Sequence, residues 1–149
     1  MKAYSCYLFD ADGTLFDTTE LICQCYFNTA RVAGMAELNR ESVLSTIGMT
    51  LRDQMEIHFG PLTEEQFSYL RKIHMDYQLS IYKKYLKLCC GVYESLKSLT
   101  ERGRRCVVVT SRFRSSLDIY LKETGIFSFF EHFITPELTS RHKPDPQPA

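Results

Sequence analysis

Two short apolar runs constrain any fold this chain can adopt. Residues 4–9 are aromatic-rich and residues 106–110 are β-branched, and both read as buried strands. A right-handed crossover between parallel strands needs only about a dozen residues, yet these two are separated by roughly ninety, most of them helical in pattern. The excess is therefore a module of its own. The expected architecture is α/β: a Rossmann-like parallel sheet core of residues 1–17 and 87–149, into which residues 18–86 are inserted as an α-helical cap. A chain of 149 residues with 44% apolar and 24% charged side chains is able to build such a core.

Local signals divide the insertion. Asp17-Thr-Thr-Glu20 has the form of a capping box, and Leu21, Ile22, Cys25 and Tyr26 follow at helical spacing up to Gly34. Asn39 begins a short helix that stops at Gly48, and Thr50 begins another that stops at Gly60. Thr63-Glu-Glu-Gln66 is a second capping box, and it opens a long helix. The stripe Phe67, Leu70, Ile73, Tyr77, Ile81, Tyr85 and Leu88 gives that helix its packing face. After Gly91 the pattern alternates: a helix to Gly103, the strand of residues 106–110, a helix from Ser115 or Ser116 to Gly125, and a short strand over residues 132–135.

Charge and cysteine usage narrow the function. Eighteen Lys and Arg balance eighteen Asp and Glu, which leaves no electrostatic footprint for nucleic acid or anionic lipid. No apolar stretch is long enough to span a membrane. The N-terminal MKAYSCYLFDADG reaches charged residues after a short apolar stretch and has no small-residue cleavage site, so it does not read as a signal peptide. A cytoplasmic protein with reduced thiols is expected. Cys6, Cys23, Cys25, Cys89, Cys90 and Cys106 lack zinc-site spacing, as do His58, His74, His132 and His142.

Chemistry is concentrated after the first strand. Asp10 and Asp12 flank one residue, and Gly13 lets the backbone turn so that both carboxylates reach the same pocket. A carboxylate is a competent nucleophile toward phosphorus, and a second one beside it is able to handle a proton. Two carboxylates and a phosphoryl group repel, so a cation is needed, and oxygen ligation suits magnesium. Taken alone, the same four residues also suit an Asx turn or a fragment of a calcium loop. Ligands of open α/β sheets bind beyond the carboxyl ends of the strands, where Asp10, Thr110 and the loop carrying Lys143 are expected to converge. A hydroxyl at a strand end, such as that of Thr110, more commonly just satisfies backbone groups.

Asp10-Ala-Asp-Gly-Thr-Leu-Phe-Asp17 resembles the first motif of the haloacid dehalogenase-like hydrolases, mostly phosphatases. Val107-Val-Val-Thr110-Ser111 resembles their second motif and His142-Lys143-Pro-Asp-Pro their third, in the same order. The helical insertion resembles the cap of the phosphoglycolate phosphatase and β-phosphoglucomutase branch. The resemblance implies that Asp10 is the nucleophile of an aspartyl-phosphate mechanism. It makes Asp12 the acid for the leaving oxygen and then the base for water. Thr110, Ser111 and Lys143 are implied to bind the phosphoryl group of a small phosphorylated metabolite, and Mg2+ to sit on Asp10 and the Asp12 carbonyl. Arg52, near the start of the Thr50 helix, is implied to contact substrate from the cap, although an Arg in that position is more commonly a solvated residue of an ordinary helix start.

The family continues past its third motif into a further helix and a strand with a Gly-Asp motif that adds metal ligands. After Lys143 this sequence offers only Asp145, between Pro144 and Pro146. A shortened chain with an incomplete magnesium site and weakened activity is expected, with the first strand left at the sheet edge and open to homo-oligomeric pairing. Two other readings share these residues: an inactive phosphate-binding or interaction module, and a sugar phosphomutase.

Overall fold

A computed structural model describes residues 4–149, so the first three residues of the stretch weighed above as a leader lie outside it. The chain divides at Asp17 and Leu86 into two compact units. Thr18–Leu86 forms one, and the segments before and after it form the other. No helix among the described residues is long and apolar enough to cross a membrane.

The discontinuous unit is α/β. Its elements are β1 (Cys6–Phe9), β2 (Phe16–Asp17), β3 (Lys87–Leu88), α5 (Val92–Glu101), β4 (Arg105–Val109), α6 (Arg114–Glu123) and β5 (His132–Ile134). The main sheet has three parallel strands in the order β1-β4-β5. Central β4 is buried from Cys106 onward, as expected of a β-branched run covered on both faces. β1 lies at an edge of this sheet, with Leu8 51% exposed.

Beside this sheet stands a two-stranded antiparallel ladder that local patterning does not announce. Phe16 pairs with Leu88 and Asp17 with Lys87. The Cys89 N–H donates to the Leu15 carbonyl at 2.9 Å and extends the pairing. This corrects the expected Asp17 capping box. Asp17 belongs to β2, and the following helix, α1 (Thr19–Val32), is capped by Thr18 with no side-chain cap bond.

The other unit contains α1, α2 (Arg40–Ser45), α3 (Leu51–Phe59) and α4 (Glu64–Tyr85). Its core joins Ile22, Cys23 and Tyr26 of α1 to Val43 of α2, Met55 of α3 and Leu70 of α4. The Asn39 and Thr50 side chains accept the backbone N–H groups of Ser42 and Asp53, as their sequence positions predict. α2 is shorter than expected, ending three residues before Gly48.

The packing face of α4 also differs from its apolar stripe. Leu70 is buried, but the rest of the stripe within the helix is only half-buried, and Leu88 belongs to β3. The residues that share full burial with Leu70 are His74 and Gln78, at successive i+4 positions. The His74 ring packs edge-on to Tyr26, centroids 4.9 Å apart, so an imidazole supplies surface that spacing alone assigns to aliphatic residues. All six cysteines are free thiols. Burial pushes the Cys23 and Cys106 thiols above their usual range, which suits small core residues.

Candidate active site

The site is assembled at the carboxyl end of the parallel sheet. β1 stops at Phe9 and delivers Asp10 directly beyond it. The chain then folds back tightly: the Ala11 carbonyl accepts from the N–H groups of Leu15 and Phe16, at 2.9 and 3.0 Å, and the Gly13 N–H donates to the Phe16 carbonyl at 2.8 Å. This turn needs φ of +78° at Gly13, a conformation a β-carbon disfavours. It places Asp12 beside the same strand end as Asp10.

β4 contributes the next residues. Thr110 is buried, and its N–H continues the ladder to the Ile134 carbonyl at 3.0 Å. Its hydroxyl oxygen accepts the Arg112 backbone N–H at 3.1 Å, which tightens the turn leaving the strand. Ser111 follows and, with Thr110 and Lys143, lines one small pocket.

Lys143 arrives from the C-terminal loop. Its Nζ donates to Asp10 Oδ1 at 2.6 Å and to the Val109 carbonyl at 3.3 Å. Asp10, Thr110, Ser111 and Lys143 are thereby gathered at one strand end from separate parts of the chain.

Asp12 has a partner that sequence reasoning missed. The Arg112 guanidinium grips its carboxylate as a fork, Nη2 to Oδ1 at 2.6 Å and Nε to Oδ2 at 3.0 Å. The two side chains are only 7% and 15% exposed, against 29% and 34% for Lys143 and Asp10. The guanidinium carbon lies 4.5 Å above the centre of the Tyr120 ring, and Nη1 reaches Ser116 Oγ at 3.4 Å. The pairing spans 100 residues, and the one signal for it in the sequence is a cation directly after Thr110-Ser111. Each of the two acids is thus matched by its own cation.

Arg52 belongs to the helical unit, where its guanidinium is engaged by neighbours. It bonds Glu56 at 3.0 Å, Glu64 at 2.5 Å and the Leu62 carbonyl at 2.9 Å, and it lies 5.0 Å from the centre of the Phe67 ring. This network ties the start of α3 to the start of α4, which is a structural use of the residue.

Among the described residues no group of three or more His, Cys, Asp or Glu is arranged to hold a metal ion. The donors at the strand end still fit magnesium, which takes one or two carboxylates and completes its shell with water and phosphate oxygens. Lys143 engages Asp10 through Oδ1. Chemically the arrangement offers a carboxylate aimed out of a strand end, a second one close by, two cations and two hydroxyls, a set suited to handling a phosphoryl group.

Comparison with known proteins agrees with that chemistry. Residues 7–149 match the family model of the haloacid dehalogenase-like hydrolases. The chain is 33% identical over 148 residues to a pyrophosphatase PpaX of Bacillus velezensis, covering 99% of this chain and 67% of that protein. It is 32% identical over 141 residues to a pyrophosphatase PpaX of Anoxybacillus flavithermus, covering 95% of this chain and 64% of that protein. The chain therefore spans about two thirds of the length of these relatives. Among solved structures, a "predicted phosphoglycolate phosphatase" of Haemophilus somnus 129PT shares the fold, with a TM-score of 0.89 at 21% identity, covering 99% of this chain and 69% of that one.

Proposed function

Because the chain belongs to the haloacid dehalogenase-like hydrolases, we propose that it is a magnesium-dependent phosphohydrolase working through an aspartyl-phosphate on Asp10. The observation that carries this reading is the matched pair of acids at the end of β1, Asp10 with Lys143 and Asp12 with Arg112. The pyrophosphatases among its relatives bring inorganic pyrophosphate into the substrate class beside small phosphorylated metabolites.

In the first half of the reaction an Asp10 oxygen attacks phosphorus, and the bond to the leaving oxygen breaks. Lys143 leaves its ion pair with Asp10 to balance the charge on the transferring phosphoryl oxygens. Thr110 and Ser111 contribute neutral hydroxyl donors to the same oxygens. With an alcohol leaving group Asp12 gives its proton to the leaving oxygen, then takes one from the water that attacks the aspartyl-phosphate and restores Asp10. Asp10 and the Asp12 main-chain carbonyl would hold magnesium, which would supply positive charge that lets an anionic nucleophile meet an anionic substrate.

The test is phosphate release from p-nitrophenyl phosphate in the presence of magnesium. Turnover is expected, and both EDTA and Asp10→Asn are expected to abolish it. A folded sample that releases phosphate no faster than Asp10→Asn would overturn the proposal.

A further inference from the structure

Both oxygens of Asp12 are occupied by one nearly enclosed guanidinium. Arg112 is held independently of that fork, by the Tyr120 ring beneath it and by the bond from its own N–H to Thr110. It is therefore able to release Asp12 without leaving its place. The face that Arg presents to a carboxylate is the face it presents to phosphate, two parallel N–H donors meeting two oxygens. A buried guanidinium stripped of its anion is costly, so Arg112 gives up Asp12 only when a second anion arrives to take the fork. An alcohol leaving group brings none. A phosphate leaving group brings one beside the oxygen that Asp12 serves.

We propose that Arg112 is the specificity-determining residue of this site, moving its fork from Asp12 to the departing phosphate and so favouring phosphoanhydrides over alkyl phosphomonoesters. The inference rests on the hydrolase reading above, in which Asp10 attacks and Asp12 faces the leaving oxygen. It also accounts for two cations at one strand end: Lys143 meets the phosphoryl group that is transferred, and Arg112 the one that departs.

For hydrogen pyrophosphate the step balances without a proton from the protein. An Asp10 oxygen forms a bond to one phosphorus, and the bond from that phosphorus to the bridging oxygen breaks. The electron pair stays on the bridging oxygen. The departing group is hydrogen phosphate, carrying the proton the substrate brought and gripped by Arg112. Asp12, released, takes a proton from the water whose oxygen then attacks the aspartyl-phosphate. Asp10 leaves as a carboxylate, and Asp12 passes the proton to solvent.

The experiment compares inorganic pyrophosphate with β-glycerol phosphate, with magnesium present, for the wild type, Arg112→Met and Arg112→Lys. Arg112→Met takes the partner from Asp12 and is expected to lower kcat/KM for both substrates, but to cost pyrophosphate about 20-fold more than β-glycerol phosphate. Arg112→Lys keeps the charge over Tyr120 but loses the planar fork, and is expected to lose about 10-fold more on pyrophosphate than on β-glycerol phosphate. It also carries the test should the Met variant melt early. With turnover blocked by Asp10→Asn, adding Arg112→Met is expected to weaken calorimetric binding of pyrophosphate about 10-fold or more and to leave that of orthophosphate unchanged. An equal fall on both substrates in a folded variant would reduce Arg112 to a structural role and overturn the inference while sparing the hydrolase reading. Absence of Asp10-dependent turnover on either substrate in the wild type overturns both.

Discussion

Tyr26 is enclosed between two imidazoles, His58 with its centroid 5.0 Å away and His74 at 4.9 Å. His58 Nε2 lies 3.1 Å from Thr46 Oγ1 and Nδ1 3.4 Å from Ser42 Oγ. Burial holds His58 below the ordinary imidazole range, and it pushes the Tyr26 phenol upward. The folded chain thus takes up this proton less readily than the unfolded one, whose imidazole titrates near about 6.5. The stabilisation is complete above that value and is lost as pH falls through it toward the lower folded value. Between about pH 7.5 and 5.5 the wild type is expected to lose more Tm than His58→Gln. Equal losses in thermal melts would show that His58 does not carry the effect. At this scale the strand-end positions of Asp10, Asp12 and Thr110 were legible because apolar runs mark where strands stop. Arg112 was not, because nothing local connects it to an acid so far away in the chain.

Among the elements, those whose start signals are satisfied locally were the most legible. The Thr63 hydroxyl accepts the Gln66 N–H at 3.2 Å, and Gln66 Oε1 accepts the Thr63 N–H at 2.9 Å, closing the capping box of α4. Thr63→Ala removes the side-chain acceptor from the first turn and is expected to destabilise the protein by about 1 kcal/mol, read as a lower urea midpoint at unchanged slope. A change within error would mean that tertiary packing alone fixes this helix start. Asp17-Thr-Thr-Glu20 carries an equally good local signal and forms no box, since pairing with Lys87 draws Asp17 into a strand. The buried line of α4 was misread for a related reason. Spacing identifies apolar residues, but it does not show that a Tyr on a neighbouring helix will make a His into core.

At the scale of the whole molecule, the α/β class was legible from two apolar runs too far apart for one crossover. The small ladder of β2 and β3 was not, because two residues on each side carry no periodicity. That ladder has its own consequence. Asp17 and Lys87 face each other as an antiparallel pair, the geometry that a two-residue turn closes in an ordinary hairpin. Joining them through Asn-Gly in place of Thr18–Leu86 is expected to leave a chain that melts cooperatively with the circular dichroism of a mixed α/β protein. A product without a melting transition would show that the core depends on its insertion. The two pairs of residues act as a splice point: whatever is stitched between them is, to the sheet, only a turn of unusual length. A different insertion could take that place while the ends of β1 and β4 stay as they are.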